Sequence, residues 1–133
     1  LERSRPLYEV GKEGLAALSG QDGEMTEALR RIQLLHADFR GFLETAAPNS
    51  FDVIYFDPMF RYPVKRKENS MEGFRSAAVY DPLTEDVLQF AMRAARKKVI
   101  VKERPFSALF RTGLFTEIHG KRGQTTAYGV IKL

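Results

Sequence analysis

The sequence contains no cysteine, so disulfides and thiolate metal sites are excluded. Histidine is nearly as scarce, and His36 and His119 stand too far apart in the chain to suggest a metal site. No apolar run approaches the roughly 20 residues that a membrane-spanning helix needs, and no membrane partner is expected. Repeats, heptads and low-complexity tracts are also missing, which excludes repeat architectures and coiled coils. The amino terminus, LERSRPLYEV, has neither a methionine nor the apolar core of a signal peptide. It reads as the interior of a cytoplasmic protein, with something upstream of Leu1 missing.

What is present has the balance of one globular domain, residues 1–133, with 44% hydrophobic and 29% charged residues, long enough to bury a core. The net charge of +4 leans modestly towards a polyanionic partner, and its distribution matters more than its total. Arg61, Lys65, Arg66, Lys67 and Arg75 follow one another against only Glu68 and Glu72. A second basic cluster is Arg93, Arg96, Lys97 and Lys98.

Ser4 and Pro6 open a predicted helix over Pro6–Leu18, with Leu7, Val10, Leu15 and Leu18 as its apolar stripe. Asp22 can cap a second helix over Gly23–Arg31, with Met25, Ala28 and Leu29 inward. Ile32–His36 reads as a short buried strand and Arg40–Thr45 as helical. A long loop from Arg61 to Pro82 carries its own small helix, and loops of that length are functional or disordered. Thr84 and Asp86 open a helix carrying Val87, Leu88, Phe90, Ala91, Met92 and Ala95. KVIVK, Lys98–Lys102, is a buried strand closed by Pro105, a short helix lies near Phe106–Arg111, and Phe115–Gly120 with Thr125–Leu133 reads as an antiparallel hairpin. The order gives an α/β sheet, mostly parallel with an antiparallel carboxyl-terminal hairpin.

Chemistry concentrates in FDVIYFDPMF, Phe51–Phe60. Val53, Ile54, Tyr55 and Phe56 lack polar alternation, as in a strand covered on both faces. Pro58 has no N–H to donate and ends the ladder. In open α/β sheets ligands collect at the carboxyl ends of strands, where Asp57, the Pro58 carbonyl, Met59 and Phe60 would stand. The alternative is an Asp-Pro turn leaving a sheet with no further role.

Three stretches, LERSRPLYEVGKEGLAAL, IQLLHADF, and VIYFDPMF with the later KKVIVKERP, resemble class I S-adenosylmethionine-dependent methyltransferases. More narrowly, they are similar to the family that methylates the exocyclic N2 of a guanine in small-subunit ribosomal RNA. The likeness covers roughly Leu1 to Pro105, and its most specific part is Asp-Pro-Met-Phe, similar to the Asp/Asn-Pro-Pro-aromatic motif of amino-group methyltransferases. It implies a Rossmann-like sheet truncated at the amino terminus, S-adenosylmethionine as cofactor and RNA, most of all ribosomal RNA, as partner. Glu2, with Arg3, matches the acidic position that accepts from the ribose hydroxyls, and Ala37 with Asp38 matches the residues at the adenine. Asp57 to Phe60 match the catalytic motif, Asp57 also lying against the cofactor. The family's glycine-rich turn has no match, since none of the ten glycines forms a G-x-G after a strand.

Each assignment has a plainer counterpart. Glu2 can be an exposed charge ahead of a helix, Asp38 an N-cap, and His36 is a filler at a strand end and not a catalyst. Arg61, Lys65, Arg66 and Lys67 can contact phosphates or form a solvated loop. Lys102 can contact RNA or snorkel from its strand end. An inactive RNA-binding module with a methyltransferase-like fold, and another nucleotide-using α/β enzyme, stay open beside the enzyme reading. Without a first strand, the VIYFD edge would need cover, either from IQLLH or from the same edge of a second copy in a homodimer.

Overall fold

Ser4 ahead of Pro6 signals a helix start, and the chain follows that signal. The structure, a computed structural model, describes residues 1–19, 23–58, 76–79, 82–121 and 123–133. They fall into two compact units, one from residues 1–41 with 76–79, the other from residues 42–58 with the described residues from 82 onward.

In the first unit α1 spans Arg5–Ser19. Ser4 is 3% exposed and its carbonyl accepts the Tyr8 N–H at 2.9 Å. The inward face differs from the expected stripe: Leu7, Tyr8, Gly11 and Leu15 are half-buried, while Val10 and Leu18 are exposed. Two contacts account for this. The Tyr8 ring stacks on His36 at 5.1 Å, and Gly11 leaves room for Leu34, whose Cδ2 would lie 2.9 Å from a β-carbon at that position.

Helix α2 spans Glu24–Arg30, with Gly23 as its N-cap at φ 132°, a conformation that favours glycine. Asp22, the expected cap, lies outside the described residues. Glu24 and Glu27 in the first turn and Arg30 in the last suit the helix dipole. Met25 and Ala28 are exposed, contrary to expectation. A two-turn helix has few inward positions, and the deepest is taken by Thr26.

The expected strand Ile32–His36 is reduced to one parallel bridge, Glu2 with His36. The Glu2 N–H donates to the Leu35 carbonyl at 3.0 Å, and the Ala37 N–H donates to the Glu2 carbonyl at 3.1 Å. Glu2 is the one residue paired with it in that bridge, and α1 begins three residues further on at Arg5. Ile32 and Leu35 are accordingly exposed and not buried. Helix α3, Phe39–Thr45, begins one residue before the expected start.

The second unit contains β1 (Phe51–Phe56), α4 (Glu85–Ala94), β2 (Ala95–Glu103), a 3-10 turn (Ala108–Arg111), β3 (Glu117–His119) and β4 (Ala127–Lys132). The sheet order is β1-β2-β4-β3. β1 and β2 are parallel, with α4 in the crossover, and β4 is antiparallel to both β2 and β3. The hairpin is as expected, but the sheet is mixed and not mostly parallel. Its last strand inserts beside β2, so one parallel pair stands beside two antiparallel ones.

Val87, Leu88, Ala91 and Ala94 of α4 are wholly buried, as are Val99 and Val101 of β2, and Phe56 and Ile131 are nearly so. The register aligns Phe56 with Val101 and Val99 with Ile131, so this is one face of the sheet. Each large aliphatic side chain there contributes about 1.5–3 kcal/mol by leaving water. β1 was expected to be covered on both faces and is covered on one: Val53 and Tyr55, on the face opposite Phe56, are 44% and 51% exposed.

Arg93, Arg96 and Lys97 of the second basic cluster are bound to the protein itself. Arg93 donates to the carbonyls of Leu43 and Glu44, and Arg96 to the Asn49 carbonyl. Arg96 and Lys97 both pair with Asp52. These contacts fasten the α3–β1 link at the end of β1 opposite to Asp57.

Candidate active site

Side chains along a strand alternate faces, so Tyr55 and Asp57 share one side of β1. The parallel register, Tyr55 with Ile100 and Phe56 with Val101, brings Lys102 of β2 alongside Asp57. The Lys102 Nζ lies 2.7 Å from one carboxylate oxygen of Asp57 and 2.9 Å from the other. The Tyr55 hydroxyl points at the second oxygen from 3.5 Å. Tyr128 of β4, half-exposed, stands opposite Lys102 in the antiparallel register.

Strand β1 ends at Phe56, so Asp57 and Pro58 follow directly beyond its last paired residue. The hydrogen bond to Asp57 pushes the Lys102 ammonium above its ordinary range, against the opposing effect of burial. Burial, and next the Asp57 charge, push the Tyr55 hydroxyl up as well. At neutral pH Lys102 is therefore a cation and Tyr55 a neutral donor. A carboxylate has about four lone-pair sites, so these contacts leave Asp57 able to accept further hydrogen bonds from a ligand.

The first unit gathers Glu2, Arg3, Ala37 and Asp38 around the Glu2–His36 bridge. The Glu2 Oε1 accepts the Ser4 N–H at 2.6 Å. Asp38 caps α3, its Oδ1 accepting the Gly41 N–H at 3.1 Å, while its other oxygen pairs with Arg3 at 3.4 Å. The Nε2 of His36 sits 3.0 Å from the Arg3 carbonyl, and its ring stacks on that of Tyr8. A carboxylate can accept from a vicinal diol or an exocyclic amine.

Met59, Phe60, Arg61, Lys65, Arg66 and Lys67 lie outside the described residues. The two tyrosines were missed by sequence reasoning. Period-two alternation from Asp57 could have flagged Tyr55. Tyr128 had no such signal, because nothing local says that β4 lies beside β2. Among the described residues no helix is long and apolar enough to cross a membrane, and no group of acidic or histidine side chains could hold a metal ion.

A mixed α/β sheet presenting Asp-Pro at the carboxyl end of a strand suits a group-transfer enzyme acting at strand ends, and comparison with known proteins agrees. The family model described as "Putative SAM-dependent methyltransferase" matches residues 1–125. The chain belongs to that family of SAM-dependent methyltransferases. It is 31% identical to the Bacillus subtilis protein named "Uncharacterized protein YpiP", covering 99% of this chain and 51% of that one. It is 31% identical to ribosomal RNA small subunit methyltransferase J of Cellvibrio japonicus, covering 100% of this chain and 53% of the relative. With the protein of the same name from Hydrogenovibrio crunogenus it shares 35% identity over 86% of this chain and 42% of the relative. The chain thus spans about half the length of the curated relatives it matches.

Proposed function

We propose that the protein transfers a methyl group from S-adenosylmethionine to the amino group of a base in small-subunit ribosomal RNA, guanine N2 being the expected acceptor. The observation that carries this reading is the Asp57 carboxylate, held by Lys102 directly after β1 with Pro58 next to it. Membership of the methyltransferase family and the names of the relatives support it further.

The amino group of guanine is a poor nucleophile because its lone pair is conjugated into the ring. Acceptors that draw on its N–H bonds and fix its direction raise its reactivity. Asp57 and the Pro58 carbonyl are two such acceptors, and Asp57 can take the proton that the nitrogen loses as it gains a methyl. Phe60 would stack on the target base, a contact worth about 1–3 kcal/mol. Arg61, Lys65, Arg66 and Lys67 would neutralise phosphates.

Glu2 and Asp38, with Arg3 and Ala37, would hold the ribose and adenine of the cofactor, since their carboxylates have lone pairs beyond those used internally. When bound, the cofactor supplies an electrophilic methyl group on a sulfonium. The protein encoded by the full gene is to be incubated with labelled S-adenosylmethionine and small-subunit RNA, and the RNA digested to nucleosides. Label in N2-methylguanosine is expected. Label in a different nucleoside would refute the guanine assignment, and no transfer would refute the enzyme.

A further inference from the structure

We propose that Lys102 is a positioning residue, holding the Asp57 carboxylate in the orientation that receives the acceptor amine. The inference rests on the reading of Asp57 given above and deepens it. The ammonium reaches both oxygens, at 2.7 and 2.9 Å. A cation in contact with both oxygens restrains where the carboxyl group sits more than a single contact would. The Lys102 side chain is the more enclosed of the two, 28% exposed against 46% for Asp57. The clamp therefore approaches from the sheet and leaves the more open side of the carboxylate to a ligand.

The charged and titratable groups facing the pair among the described residues are Tyr55 of β1 and Tyr128 of β4. Neither is a carboxylate, so Asp57 is the one acidic side chain beside Lys102 in that set. A phosphate binder would be expected to direct its ammonium outward to solvent, whereas Lys102 uses it on a neighbouring strand. Displacing the acceptor by about 1 Å can cost about a hundredfold in rate, so a side chain with no substrate contact can still govern turnover.

The test uses Lys102→Met and Lys102→Arg in the protein encoded by the full gene, with methyl transfer and RNA affinity measured across a salt series. The proposal expects Lys102→Met to lower kcat at least about tenfold, with the KM for RNA held within about threefold. Lys102→Arg should recover most of the loss, since a guanidinium can also span a carboxylate. The salt dependence of RNA binding should stay unchanged. An intact kcat, or a raised KM with a salt slope flatter by about one counterion, would overturn it in favour of an RNA phosphate contact. A readout independent of turnover is the titration of the Lys102 side chain by NMR, which should move down in Asp57→Asn. An unmoved titration would overturn the clamp. If the wild-type protein transfers no methyl group at all, the functional reading fails while this titration still decides the pairing.

Discussion

Arg93 and Glu44 join the second unit across the sequence: the guanidinium lies 2.8 Å from the Glu44 carbonyl and, through the same nitrogen, 3.0 Å from that of Leu43. The Leu43 carbonyl also accepts the Ala46 N–H at 3.3 Å, so the guanidinium adds a donor at the end of α3, where carbonyls lack their full set of helical partners. The Asn49 N–H returns a bond to the Arg93 carbonyl at 3.0 Å.

Arg93→Met is therefore expected to destabilise the fold by about 1–2 kcal/mol, the scale of hydrogen bonds from a charged donor that is partly exposed. Denaturant unfolding reads this as a lower midpoint at an unchanged slope. Wild-type stability in the variant would mean that water replaces the guanidinium at no cost.

Gly129 lies in the middle of β4 beneath two rings. A β-carbon added there would overlap the Phe115 ring and come within 2.7 Å of the Phe110 ring. Those rings meet edge to face at 5.2 Å. Gly129→Ala should cost about 1–3 kcal/mol through overpacking, and replacing Phe115 by Leu in the same chain should recover part of it. Thermal unfolding of the single and double variants checks both statements.

The Glu117 carboxyl is held below its ordinary range, first by a hydrogen bond from Lys132 and then by His119. A depressed folded value adds stability above the unfolded glutamate value, about 4.3, and that stability is lost as pH falls through the folded value. Unfolding free energy should fall with acidification from pH ~5 downward, and Glu117→Gln should reduce that slope. An identical slope in the variant would place the acid sensitivity elsewhere.

β2 is the only paired neighbour of β1 among the described strands. We expect the other edge of β1, flanked by the exposed Val53 and Tyr55, to be covered by the same edge of a second copy, as exposed edges template pairing. Light scattering should give a dimer mass, with β1 amides protected from exchange. A monomer whose β1 amides exchange rapidly would contradict it.

Much of this unit is legible in order and type. FDVIYF, KVIVK and AYGVIK carry apolar, β-branched or aromatic residues, and Pro58 marks where β1 ends. Burial and neighbour order are less legible. Tyr55 reads as buried because no polar residue alternates with it, yet its exposure depends on what covers the sheet, which no local signal records. IQLLH reads as a strand, but a strand exists only where a partner of matching length lies beside it, and only Glu2 pairs there. The place of Asp57 directly after β1 was legible from its motif. Its clamp was not, because Lys102 lies 45 residues further on and meets it only through the parallel register.

If Asp57 acts on the acceptor amine, methyl transfer should depend on its carboxylate, which is checked with Asp57→Ala in the protein encoded by the full gene, affinity for S-adenosylmethionine being measured calorimetrically on the same sample. The variant should lose about 10²–10⁴-fold in kcat, the range of a positioned acid–base group, with cofactor affinity held within a few-fold. Turnover equal to that of the wild type would contradict it.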